Sequence, residues 1–130
     1  MSAHRILQLN GFATALSAVG MLAARGILPP LFGLGSPLVL DVIAVGLLAY
    51  AVALFAAAGR RPVSARTMMV FTAADAVWVI GSAIVLMLYW AQLAPIARFL
   101  VIAGALVVEL LASLQYRAAG LIRRHSSQPA

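Results

Sequence analysis

Four apolar runs, at about residues 6–24, 38–58, 66–90 and 95–117, constrain this chain more than any other feature. Each is long enough to cross a bilayer, whose ~30 Å hydrocarbon core takes about 20 helical residues. Inside hydrocarbon the backbone must satisfy its own hydrogen bonds, and runs of this length do so as helices. The expected fold is therefore all-α: a four-transmembrane-helix bundle running up-down-up-down, one domain over residues 1–130, with 118–130 left as a short cytoplasmic tail. Composition agrees, with 65% hydrophobic residues, 9% charged and a mean hydropathy of +1.08. Soluble domains carry about 45 to 50% apolar and about 25% charged residues.

The breaks between the runs have distinct chemistry. Gly26 to Pro37, GILPPLFGLGSP, holds adjacent prolines and three glycines, so it reads as a loop lying in the headgroup interface. Ser36 and Pro37 read as the cap and first turn of span two, with Asp41 favoured in the early turns by the helix dipole. The link RRPVSAR, Arg60 to Arg66, is short and basic and makes a hairpin of spans two and three. Ala91 to Ala94 joins spans three and four, and Pro95 opens the last one. Arg5, Arg60, Arg61, Arg66, Arg117, Arg123 and Arg124 fall on one side of this arrangement, and only Arg25 and Arg98 on the other. Positive residues favour the cytoplasm, so both termini are expected there. His4 and Arg5 ahead of an apolar run also fit a signal peptide, but the run has the length of a span.

The net charge of +6 would point to nucleic acid in a soluble protein. Here the arginines sit at the ends of apolar runs, so the expected partner is the lipid bilayer with its anionic headgroups, and no nucleic acid. Arginine without lysine and abundant alanine suggest a GC-rich bacterial genome, hence a multi-pass protein of the bacterial inner membrane.

The residue that needs an account is Asp75, within TAADAVWVIGS of span three. An acid at that depth costs at least ~2.5 kcal/mol, so it marks a pathway, a binding site or an interior contact. With spans three and four joined near residue 92, equal depth pairs Asp75 with Glu109. Counting inward from the cytoplasmic ends brings Thr14 and Tyr50 to the same level, with Asn10 one turn below and Trp78 one turn from Asp75 on its face. The expected intramembrane polar site is thus Asn10, Thr14, Tyr50, Asp75, Trp78 and Glu109. Two carboxylates brought this close in a low dielectric would share a proton or both be neutral. Such a pair serves as a staple fixing helix register, as a proton or cation site, or as a polar handle in a ligand pocket. Gln115 and Tyr116 read as interfacial groups that need no special account.

No catalytic pattern is present: there is no Cys, no intramembrane His, no HExxH, no Walker loop and no GxSxG. No metal or cofactor is expected, since hard cations want six or more oxygens. LQLNGF, the GSP turn, the RRPV link, ADAVWVIGS and the late Gln-Tyr resemble an uncharacterised group of short bacterial four-span membrane proteins. The resemblance implies the fold and carries no function. The small multidrug transporters of similar size place their key Glu in span one, and span one here has no acid. These features lead to a non-enzymatic membrane component acting through assembly, as a homo-oligomer or in a larger complex, or through an apolar small ligand or lipid held between helices. The alternative is a small proton- or cation-coupled transporter using Asp75 and Glu109. A membrane enzyme acting on lipid is a third and weaker class.

Overall fold

The computed structural model describes residues 2–127, and all of its regular structure is helical. Four long apolar helices, each of a length and hydropathy able to cross a membrane, form the molecule: α1 (Ala3–Ala23), α3 (Leu38–Ala58), α4 (Ala65–Tyr89) and α5 (Pro95–Ser127). A single turn, α2 (Leu28–Leu31), occupies the loop between the first two, with Pro29 and Pro30 where missing N–H groups cost nothing. Ser64 caps α4, its Oγ accepting from Thr67 N at 3.1 Å.

Packing follows chain order in two pairs, α1 with α3 and α4 with α5, and α1 lies against α5 to join them. At the basic end Ile6, Leu7, Leu54, Ala58, Met68, Ala118 and Ala119 make one core cluster from all four long helices. At the opposite end the α1–α3 connection meets the short α4–α5 connection, and Ala94 N donates to Leu31 O at 2.8 Å. Both arginines of that end are held locally. Arg25 Nη2 pairs with Asp41 Oδ2 at 2.6 Å, and Arg98 lies 4.3 Å over the Trp90 ring while donating to the Trp90 carbonyl. Asp41 thus has an ion partner as well as its place at the start of a helix. Most large aliphatic side chains face outward, Leu16, Val77 and Met87 among them, as they do when the surroundings are hydrocarbon.

The last helix corrects one expectation. Residues 118–127, read above as a tail, continue α5 without a break, because Ala118, Ala119, Leu114 and Ile122 pack on the basic-end cluster. The rest of that tail, residues 128–130, lies outside the described residues.

One glycine is fixed by backbone geometry. Gly33 has φ +71°, and a Cβ there would stand 3.0 Å from Gln92 O of the facing connection. Gly33→Ala should therefore lose about 1 to 2 kcal/mol, the cost of a left-handed conformation for a residue with a side chain. Thermal unfolding in detergent would show it, and an unchanged midpoint would mean that the two connections do not need this contact.

Candidate functional site

A single carboxylate ties the four long helices together. Asp75 lies on α4 and is only 3% exposed. Its Oδ2 accepts from Asn10 Nδ2 of α1 at 2.8 Å and from Gln115 Nε2 of α5 at 2.9 Å. Its Oδ1 accepts from the Tyr50 hydroxyl of α3 at 2.8 Å. Asn10 also donates to Gln115 Oε1 at 2.7 Å, which closes a ring of Asn10, Asp75 and Gln115. The remaining Asn10 oxygen accepts from the Thr14 hydroxyl, one turn along α1, at 3.2 Å. Among the described residues no buried side-chain nitrogen or oxygen lacks a partner.

Local sequence explains each position. Asn10 and Gln115 are 1% and 0% exposed, each within a stripe of small or aliphatic residues on its own helix. On α5 that stripe is Leu111, Ala112, Gln115, Ala118 and Ala119, the three-to-four-residue spacing of one buried face. Tyr50 is steered by Phe71, whose ring it meets edge-on at 5.6 Å between centroids. The result is an acceptor with three neutral donors converging on it and no cationic side chain in contact. It suits a rigid register lock, because sliding α4 breaks bonds to the other three helices and sliding any other breaks its bond to α4. Nothing adjoining Asp75 supplies a nucleophile with a base, and among the described residues no three His, Asp or Glu side chains gather as metal ligands.

The expected site is met in part. Asn10, Thr14, Tyr50 and Asp75 come together, but Glu109 and Trp78 do not join them. The Asp75 and Glu109 pair is corrected: Gln115, read as an interfacial group, takes the place assigned to Glu109. Helical side chains lean toward their own N-termini, so across the short connection at 90–94 Asp75 and Gln115 lean toward one another. Glu109 lies about a third of a turn round α5 from Gln115 and is exposed on the outside. It lines an outer groove of about 360 Å³ with Thr72, Ala76, Ala112, Ser113, Tyr116 and Arg117. Trp78 is 39% exposed, and its indole N–H makes no hydrogen bond among the described residues. The signal for Gln115 was the alanine stripe around it.

The chain matches no protein-family description, no curated protein and no solved structure.

Proposed function

We propose that the protein is a non-enzymatic integral membrane component of the bacterial inner membrane that acts through lateral assembly, as a homo-oligomer or within a larger membrane complex. In this reading its long helices run up-down-up-down with both ends cytoplasmic. Alternation is supported by the clustering of Ile6, Leu54, Met68 and Ala118 at one end and by the Leu31 to Ala94 contact at the other. The orientation rests on the arginines collected at the first of these ends.

The observation that carries the assembly reading is Glu109. Asp41 has Arg25 and Asp75 has three donors, whereas Glu109, within an apolar span and facing outward, makes no hydrogen bond among the described residues. Ser113, one turn further on, makes none either, although Ser17, Thr72 and Ser82 each donate to the carbonyl four residues back. An unpaired acid at that depth costs at least ~2.5 kcal/mol in lipid, so a surface carrying one is suited to contact with protein. Asp75 and Glu109 belong to different faces, so proton or cation coupling through that pair has no geometric support.

Glu109→Leu should leave helix content and thermal stability unchanged and weaken self-association in bilayers about tenfold, equivalent to ~1.4 kcal/mol. Energy transfer between labelled copies at graded protein-to-lipid ratios measures this. Equal association of the variant and the wild type would remove Glu109 from the interface.

A further inference from the structure

We infer that the outer groove between α4 and α5 holds a phosphate-bearing anionic lipid, with its headgroup between Arg117 and Arg124 and its acyl chain along Tyr116, Ala112 and Ala76. A second cavity of about 350 Å³, lined by Tyr116, Arg117, Gly120, Leu121 and Arg124 of α5, adjoins the groove described above. Tyr116 and Arg117 line both, so the two are neighbours along the outside of α5.

These two halves differ in chemistry as the two parts of a lipid do. The upper half carries two guanidinium groups seven residues apart, hence on one face of α5 and about 10 Å apart along its axis. Gly120 lies between them, and a Cβ there would meet nothing within 4 Å, so the wall between the arginines is open. Neither arginine has a carboxylate partner among the described residues, the single ion pair being Arg25 with Asp41. Free guanidinium forks match phosphate oxygens in geometry and charge. The Tyr116 ring and hydroxyl lie beside them, the usual disposition of tyrosine where hydrocarbon meets headgroups. The lower half is lined by Thr72, Ala76, Glu109, Ala112 and Ser113, and the small Ala76 and Ala112 leave the space along its floor that an acyl chain would fill. The arginines stand just beyond the apolar run of α5, at headgroup depth, which places the phosphate above and the chain below.

Glu109 lines the same groove, so the lipid and the assembly contact would share one face of α5. The two readings are separated by their experiments, lipid retention for the arginines and self-association for Glu109.

The test uses the whole protein, stripped of lipid in detergent and offered phosphatidylglycerol or phosphatidylcholine, with bound lipid counted by native mass spectrometry. Wild type should retain phosphatidylglycerol selectively. The double variant R117Q/R124Q should lower that retention about tenfold, whereas R60Q/R61Q, which removes the same charge elsewhere at the basic end, should leave it near wild type. Ala76→Leu, which keeps every charge but fills the groove, should also lower it. Equal losses from the two arginine pairs would overturn the site in favour of diffuse charge attraction. Equal retention of the two lipids would overturn it as well. Inorganic phosphate that displaced the lipid at matching concentration would show that the arginines take a free anion, and the acyl-chain assignment would fall.

Discussion

Replacing Asp75 by leucine is expected to destabilise the bundle by about 3 kcal/mol, since the buried Asn10 and Gln115 and the half-buried Tyr50 lose their common acceptor and each unpaired group costs ~1 to 3 kcal/mol. The lower end of that range applies because interhelical hydrogen bonds in membranes average only ~0.6 kcal/mol, and an unfolded span finds other partners. Asp75→Asn should behave differently. The amide oxygen can accept from both Asn10 and Gln115, and the amide nitrogen can then donate to the Tyr50 oxygen, which is also able to accept. Its cost should be about 1 kcal/mol or less, the worth of exchanging charged hydrogen bonds for neutral ones. Reversible unfolding in mixed detergent micelles separates the two variants. If Asn were as damaging as Leu, the negative charge itself would be needed, and the lock would have to be reconsidered as a site that binds or moves a cation.

The second large effect is expected next to Asn10. Gly11 is buried, and a Cβ built on it would lie 3.0 Å from the tip of the Phe55 ring on α3. Phe55 is itself held edge-on against Phe12 at 5.0 Å between centroids, so it has little freedom to retreat. Gly11→Ala asks only the end of that ring to yield. Gly11→Leu would push α3 away from α1, and with it Tyr50 away from Asp75. Overpacking of this kind costs about 1 to 3 kcal/mol, and the strained Tyr50 bond places the expected loss near the upper end. Gly20 is a control on the same helix, since a Cβ there meets nothing within 4 Å. Gly20→Ala should be neutral or stabilise by up to ~1 kcal/mol through helix propensity. Loss of stability at both positions would mean that α1 tolerates no added side chain for reasons other than Phe55.

How much of this was legible can be judged residue by residue. The four apolar runs predict α1, α3, α4 and α5 to within a few residues at most ends, because in lipid the length of a run and the demands of the backbone leave one solution. The end of α5 is the exception. Its residues past Arg117 are polar enough to leave the membrane, but Ala118, Ala119 and Ile122 keep an apolar edge that binds them to α1 and α4. In the candidate site, depth counting gathered Thr14, Tyr50, Asp75 and Asn10 but put Thr14 level with Asp75 and Asn10 a turn away, whereas Asn10 is the one that meets Asp75 and Thr14 lies a turn further along α1. Depth counting chose Glu109 over Gln115, because it ignores both the lean of side chains along a helix and the way that helix is turned. The charge of Glu109 drew attention, whereas the neutral Gln115, flanked by buried alanines, was the residue on the inner face. Reading the face of α5 before its charges would have reversed the choice.

The hydrogen bond between Asn10 and Gln115 spans 105 residues of chain. During synthesis, at about 5 to 20 residues per second, Asn10 reaches the membrane roughly 5 to 20 s before the glutamine that completes its ring exists. Over that interval the first helix carries an amide with no permanent partner, and Asp75 arrives into a half-built ring. A chain cut off ahead of residue 115 would leave Asn10 short of one acceptor and Asp75 short of one donor, a mark by which proteases or chaperones can tell a fragment from the finished protein. Completion of the molecule is thereby written into its last helix.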